Sequence, residues 1–184
     1  LDGVLLDLTT ARQERYPAPG FNPVVKPGLL ELDLARRDFT VNALALELPL
    51  NPVVPQRSVQ ERLLDLHGGQ AHLARRQLAF LHDASVADDP TRVIRAARYG
   101  ARLGFSLAPE AAQQITDILV IWPWSWHFGD PPEQAPPALA TRLRMELELL
   151  LSREPWPQAL DLLQAWGGLG LLDSGLQADV RILR

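Results

Sequence analysis

Residues 88–105, DDPTRVIRAARYGARLGF, are the stretch that says most about the fold. Asp is a good helix N-cap and Pro suits the first helical position, so Asp89 and Pro90 predict the start of a helix. At 100° per residue from Arg92, three further arginines fall between about 240° and 300°, and the apolar residues fall between about 100° and 200°. The arginines are Arg95, Arg98 and Arg102. The pattern predicts a helix with one guanidinium face and one core face.

The guanidinium face allows two interpretations. Three aligned arginines repel one another unless an anion faces them, and the phosphate backbone of a nucleic acid would supply such anions. Alternatively, the arginines form an ordinary solvated face and Asp89 only caps the helix.

Working outward from this helix, the chain divides into a mixed part and a helical part. Helices are predicted at 109–121, 138–152 and 157–166, with a Pro- and Trp-rich connection at 122–137. Upstream we expect strands at 4–10, 39–48 and 63–66, a helix at 29–37, loops at 16–20, 23–28 and 49–60, and a turn at Gly68 and Gly69. The predicted class is α+β, a mixed β-sheet with helix followed by an all-helical part.

Composition excludes several classes of protein. The 184 residues carry 18 Lys and Arg against 22 Asp and Glu, a formal charge of -4, and no Cys. Without Cys there is no disulfide scaffold, zinc-thiolate site or thiol nucleophile, and we expect a cytoplasmic protein without a membrane span. The mild acidity argues against a protein that coats nucleic acid by bulk charge.

Because the chain opens on Leu1, we interpret it as a fragment whose true start is not shown.

A second polar cluster stands at residues 36–42, RRDFTVN, between a predicted helix and a predicted strand. Arginine forks suit phosphate oxygens and a carboxylate suits ribose hydroxyls, so the cluster is a candidate ligand site. The alternative is a solvated helix end in which Arg37 and Asp38 merely pair.

Together the motifs resemble the bacterial tRNA nucleotidyltransferase and poly(A) polymerase family, the class II branch of the polymerase β-like nucleotidyltransferases. The matching segments are RRDFTVNA (36–43), DLHGG (65–69), DDPTRVIRAARY (88–99), LGF (103–105) and TRLRMEL (141–147). The resemblance implies part of a nucleotidyltransferase head over residues 1–60, a helical neck with the nucleotide- and RNA-binding region over 61–130, and a neck or body continuation over 131–184.

The resemblance also implies roles for single residues. Arg37 and Asp38 would contact the ribose 2′-hydroxyl, and Arg36 and Asn42 would help to hold the triphosphate. In the family's Glu-Asp-x-x-Arg element this chain has Asp88 in the first place, whereas the base-reading pair Asp89 and Arg92 is intact. Arg95 and Arg98 complete the predicted nucleotide-binding set, and tRNA would lie along the arginine face.

The base-reading pair has a chemical logic of its own. Cytosine and adenine each offer an exocyclic amino donor beside a ring-nitrogen acceptor. A carboxylate such as Asp89 can accept from the amino group while the Arg92 guanidinium donates to the ring nitrogen. Uracil and guanine reverse this pattern, so the pair would prefer CTP and ATP over UTP and GTP without a template.

The resemblance further implies Mg²⁺, which relatives bind with an Asp-x-Asp pair upstream of the position where this chain begins. No Asp-x-Asp occurs in the 184 residues, so we expect weak nucleotide binding and no catalysis from this chain alone. Asp7 is a possible supporting residue of the metal site. The alternative is that Asp7 simply pairs with Arg12.

The expected activity is template-independent addition of CMP, AMP or both to the 3′ end of tRNA. Rival interpretations are a poly(A) polymerase and a non-catalytic RNA-binding relative. Two weaker signals are His82 followed by Asp83, which resembles a metal phosphohydrolase ligand pair, and the tryptophans at 122–126, which either stack on bases or pack in the core.

Overall fold

The computed structural model describes residues 7–48 and 58–178, an α+β arrangement of helices and short two-stranded sheets. The strands are β1 (Arg12–Arg15), β2 (Val24–Pro27), β3 (Leu44–Leu46), β4 (Leu63–Asp65), β5 (Gln77–Leu78) and β6 (Ser106–Leu107). The helices are α1 (Leu30–Ala35), α2 (Val59–Arg62), α3 (Gly69–Arg75), α4 (Ser85–Asp88), α5 (Thr91–Leu103), α6 (Pro109–Ile121), α7 (Leu143–Arg153), α8 (Trp156–Ala165) and α9 (Ser174–Ala178). β1 pairs with β2 and β3 with β4 in antiparallel register, whereas β5 and β6 are parallel.

The first part of the chain differs from its prediction. The strand predicted at 4–10 is wrong for its described residues 7–10, and the others lie outside the described part. The predicted loop at 23–28 instead contains β2, which pairs with β1. Prolines suggested a loop, but Val24 and Val25 are β-branched residues that suit a strand once a partner strand is available.

The apolar run at 39–48 is also not the single strand that was predicted. It forms a 3-10 turn over Thr40–Asn42 and then the three-residue β3. The Asp38 carboxylate accepts hydrogen bonds from the backbone N–H of Phe39 at 2.8 Å and from the side-chain amide of Asn42 at 2.9 Å. Such local side-chain bonds compete with an extended strand, and here they bend the chain.

The predicted helices are confirmed with small shifts at their ends. They are α1, α5, α6, α7 and α8. The segment predicted to begin α7 is a π-helical turn over Ala138–Arg142. Of the predicted loop at 49–60, residues 49–57 lie outside the described part, and α2 begins at Val59 after a capping box formed by Ser58 and Glu61.

The largest core lies between the helices of the second part. The core face of α5 is buried as predicted, with Val93 and Ile94 fully inaccessible, and it packs against α7 and α8. Gly100 lets α8 approach closely, because a Cβ there would lie 2.8 Å from the Leu162 side chain. The helix therefore has little freedom to rotate, and its polar face is held in one direction.

The division of the chain into head, neck and body parts at residues 60 and 130 stays a prediction.

The tryptophan-rich connection packs against this core. Trp124 is buried, and its indole N–H donates to the carbonyl of Ala87 at 2.9 Å, just before the start of α5. Trp122 donates to the carbonyl of Trp126 and stacks on His127. These contacts support the packing interpretation of the tryptophans.

Two adjacent glycines place α3 against the 3-10 turn. Asp65 accepts hydrogen bonds from the backbone N–H of Gly69 at 2.7 Å and of Gln70 at 3.0 Å. Burial acts to raise the pKa of Asp65, but these hydrogen bonds outweigh it and hold that pKa below the ordinary value. A Cβ at Gly69 would lie only 2.3 Å from the carbonyl oxygen of Thr40. The turn that follows Asp38 is thus held by direct backbone contact with α3.

We expect Gly69→Ala to destabilise the protein by about 3 kcal/mol, because two backbone segments must separate. Gly68→Ala is the matched control: its φ is +70° but its Cβ would meet open space, so we expect about 1 kcal/mol. Urea unfolding of the two variants measures the difference, and a larger loss for Gly68→Ala would contradict the close-approach argument.

Candidate nucleotide-binding site

A polar cavity of about 780 Å³ lies between the β1–β2 hairpin, the segment after α1, the start of α5 and the start of α7. Six arginines and three carboxylates line it. The arginines are Arg12, Arg36, Arg37, Arg92, Arg95 and Arg142, and the carboxylates are Glu14, Asp38 and Asp89. The excess of positive charge favours an anionic ligand, and the volume falls within the range of small-molecule and cofactor sites.

Arg36 and Arg37 are held by a buried carboxylate beneath them. Asp33 in α1 accepts from Arg36 at 2.7 Å and from Arg37 at 3.0 Å, and Arg36 also contacts Glu14 at 3.1 Å. Burial acts to raise the pKa of Asp33, but hydrogen bonds from both arginines outweigh it and lower that pKa. Asp33 therefore stays ionised and orients both guanidinium groups at the cavity wall.

Asp38 joins the segment after α1 to α5. One of its oxygens is taken by Phe39 and Asn42, and the other accepts from Arg95 at 3.0 Å. Beside it the Phe39 ring packs on Tyr99 of α5 with centroids 5.6 Å apart. The predicted ribose-contacting and triphosphate-contacting residues thus share one cavity with the start of α5.

Asp89 lies in the same cavity with one oxygen committed and the other nearly free. Its Oδ1 accepts from the backbone N–H of Thr91 at 3.1 Å and from the Thr91 hydroxyl at 2.6 Å. Its Oδ2 lies 3.7 Å from the Arg142 guanidinium, which is an ion pair but too long for a hydrogen bond. The residue before α5 is Pro90, so Asp89 lies one residue before the N-cap position that was predicted for it; it accepts from the N–H of Thr91, the first residue of α5, and keeps Oδ2 as an acceptor for a ligand.

Arg92 has a buried donor without a partner. Only 4% of the residue is exposed, and its Nη2 donates to the carbonyl of Arg36 at 3.2 Å. Its Nη1 makes no hydrogen bond within the described part of the chain. An unpaired buried guanidinium donor is costly, and such groups are accounted for by a function or an additional partner.

The other arginines of α5 face carboxylates of the same chain. Arg95 donates to Glu146 at 2.6 Å, Arg98 contacts both Glu146 and Glu154, and Arg102 lies 3.3 Å from Glu154. Burial acts to lower the pKa of Arg95, but attraction to Glu146 and Asp38 outweighs it and raises that pKa.

These contacts correct the expectation that an external phosphate backbone covers the arginine face. The anions that the aligned arginines require come from α7 and the residue that follows it, about 50 residues along the chain. Arg95 still lines the cavity, whereas Arg98 does not lie among its lining residues.

Sequence reasoning missed several cavity residues. Glu14 lies in β1, where no element was predicted, Tyr16 lies in the predicted loop at 16–20, and Arg142 comes from a turn 50 residues after Arg92. Burial raises the pKa of the Tyr16 phenol. Asp88 lines a neighbouring cavity instead, and burial likewise raises its pKa. Arg142 belongs to the TRLRMEL motif, but the sequence analysis assigned no role to this residue.

No metal-ligand set is present among residues 7–48 and 58–178. No group of three or more His, Asp or Glu side chains there is placed to hold an ion. Asp7 is exposed, and Arg12 contacts Glu14 at 2.8 Å, so the alternative pairing of Arg12 with Asp7 is wrong. His82, the other candidate, lines the neighbouring cavity, and burial lowers its pKa.

This chain is similar to several known proteins. Residues 2–79 match the poly(A) polymerase head domain. The CC-adding tRNA nucleotidyltransferase of Deinococcus radiodurans is 44% identical over 172 residues, which cover 93% of this chain and 40% of that protein. The chain is thus similar to tRNA nucleotidyltransferases over most of its length and to the poly(A) polymerase head domain over residues 2–79. The A-adding tRNA nucleotidyltransferase of Aquifex aeolicus is 31% identical over 179 residues, or 97% of this chain and 20% of that protein.

A solved structure of the family agrees in fold. A tRNA nucleotidyltransferase complexed with a primer tRNA and an incoming ATP analogue superposes with a TM-score of 0.65 at 28% identity, covering 87% of this chain and 42% of that one. The chain therefore spans less than half the length of each of these relatives.

Within its described residues, no helix combines the length and apolar character needed to cross a membrane.

Proposed function

We propose that this chain carries the nucleotide-selecting part of a tRNA nucleotidyltransferase, which adds CMP, AMP or both to the 3′ end of tRNA. One observation carries the proposal: Asp89 and Arg92 line one cavity, and each keeps a polar atom without a hydrogen bond in the described part of the chain. The names of the Deinococcus and Aquifex relatives support the choice of tRNA as substrate.

The two free atoms suit the pairing edge of cytosine or adenine. Oδ2 of Asp89 would accept from the exocyclic amino group, and the Arg92 guanidinium would donate to the ring nitrogen. With uracil or guanine, the carboxylate would face a carbonyl and the guanidinium an N–H. Each mismatch leaves a buried charged group without a partner, at about 1 to 3 kcal/mol. Selection of the base then needs no template.

The remaining arginines suit the phosphates and the ribose. Arg36 and Arg37 are oriented by Asp33, and about two-fifths of the Arg37 side chain, 43%, is open to solvent. Guanidinium forks bind phosphate oxygens in bidentate fashion. Asp38 would contact the ribose while Arg95 keeps its carboxylate in place.

Mg²⁺ stays a prediction from the family. The described residues do not fit a metal site, so we derive no step of the reaction through a metal.

Since tRNA is the proposed substrate, we propose that the protein acts in the cytoplasm.

Binding of the four ribonucleoside triphosphates to the 184-residue chain tests the selection step. We expect CTP, ATP or both to bind at least about tenfold more tightly than UTP and GTP in isothermal titration calorimetry. Equal affinity for all four would contradict the proposal.

A chimaera tests transfer. The matching segment of the Deinococcus enzyme is replaced by this chain, and incorporation of each labelled nucleotide into tRNA lacking one, two or three terminal residues is measured. We expect CMP or AMP to be added and addition to stop within three residues. Long tracts of A on unrelated RNA would instead identify a poly(A) polymerase.

A further inference from the structure

Arg142 connects the base-reading carboxylate to the loop of the β1–β2 hairpin. Its Nη1 lies 3.7 Å from Oδ2 of Asp89. Its Nη2 donates to the carbonyl oxygens of Gly20 at 3.1 Å and Phe21 at 3.3 Å. Its Nε is buried and makes no hydrogen bond to any described residue. A single guanidinium thus touches two segments that are distant in sequence.

The hairpin loop is held in one place by several contacts around Gly20. The Gly20 N–H donates to the carbonyl of Asp88 at 3.2 Å, and the Gly20 carbonyl accepts from the N–H of Ala138 at 3.0 Å. Gly20 has a φ of +78°, and a Cβ there would lie 2.9 Å from the Trp124 ring. Only glycine fits this position without strain, so the loop carbonyls are fixed where Arg142 meets them.

The backbone that carries Arg142 is also unusual. Arg142 ends the π-helical turn over Ala138–Arg142, and its N–H donates to the carbonyl of Pro137 at 3.0 Å. Single π turns place a side chain where a regular α-helix would not, and they occur often at functional sites. At the end of this turn the Arg142 guanidinium lies 3.7 Å from the Asp89 carboxylate.

We infer that Arg142 is a positioning residue for nucleotide selection: it keeps Oδ2 of Asp89 facing the base. Thr91 fixes one oxygen of Asp89, and Arg142 attracts the other without forming a hydrogen bond that the base would have to displace. The inference rests on the proposed function, since it concerns how the same cavity distinguishes bases.

The test compares Arg142→Gln with Arg144→Gln in the 184-residue chain. Both variants lose one positive charge from the same region, but Arg144 is exposed and, among the described residues, pairs with Glu148 one turn along α7. Calorimetry measures the affinities for CTP, ATP, UTP and GTP, and for inorganic tripolyphosphate as a probe of the phosphate-binding arginines alone.

We expect Arg142→Gln to reduce the preference for CTP or ATP over UTP by about tenfold or more, while tripolyphosphate affinity changes less than about threefold. Arg142→Lys keeps a cation near Asp89 and should recover part of the preference. Arg144→Gln should match the unaltered chain.

The outcomes separate the two ideas. If the unaltered chain prefers CTP or ATP and Arg142→Gln keeps that preference, the role of Arg142 is wrong and the proposed function stands. If Arg142→Gln loses tripolyphosphate and all nucleotides equally, Arg142 is merely structural and the inference is overturned. If the unaltered chain shows no preference, both the function and the role of Arg142 fall.

Discussion

Replacing Arg92 with Met should lower the affinity for CTP and ATP by about 100-fold and leave the folded chain nearly as stable as before. The affinity falls because a charged hydrogen bond to the base is worth about 1.5 to 3 kcal/mol. The stability holds because Met fills a similar volume and removes a buried donor, Nη1, that no described residue satisfies. Calorimetry and urea unfolding measure the two effects separately.

Arg75→Met is the control for this variant. Arg75 is exposed in the last turn of α3 and is not among the residues that line the cavity, so nucleotide affinity should not change. If Arg92→Met destabilised the chain by several kcal/mol and left its nucleotide affinity intact, Arg92 would be a structural residue and the base-reading proposal would fail.

Replacing Glu146 with Gln should destabilise the protein by about 3 kcal/mol. Glu146 is 6% exposed and accepts hydrogen bonds from both Arg95 and Arg98. Removing one partner of a buried ion-pair network leaves the other charges uncompensated, which costs far more than the loss of a surface pair. Urea unfolding followed by tryptophan fluorescence measures the loss.

Glu148→Gln provides a matched comparison on the same helix. Glu148 is exposed and pairs with Arg144, so its replacement should change stability by less than about 0.5 kcal/mol. Similar losses for the two variants would show that the buried network contributes no more than a surface ion pair. Because Arg95 also holds Asp38, Glu146→Gln should weaken nucleotide binding as well.

Helices were predictable where local patterns agreed with packing. The core face of α5 and the bounds of α6 follow from capping and periodicity, and the structure confirms them, whereas α5 begins at Thr91, one residue later than predicted. The short strands were not predictable from such local patterns. The antiparallel pairing of β1 with β2 depends on partner residues 9 to 15 positions away, which proline spacing does not reveal.

The candidate site shows the same division. Motif order alone indicated Arg36, Arg37, Asp38, Asp89 and Arg92, and the structure places all of them at one cavity. The place of Glu14, Tyr16 and Arg142 at this cavity depends on where the hairpin and the start of α7 come to lie.

The amino-acid sequence by itself determined the helices and the resemblance to a known family, since each depends on residues close together or on ordered motifs. Only the tertiary structure decided what faces the arginines of α5. Glu146 and Glu154 reach Arg95, Arg98 and Arg102 through packing of α7 on α5. Periodicity reports which way a side chain points, whereas its partner is set by contacts between segments far apart in the chain.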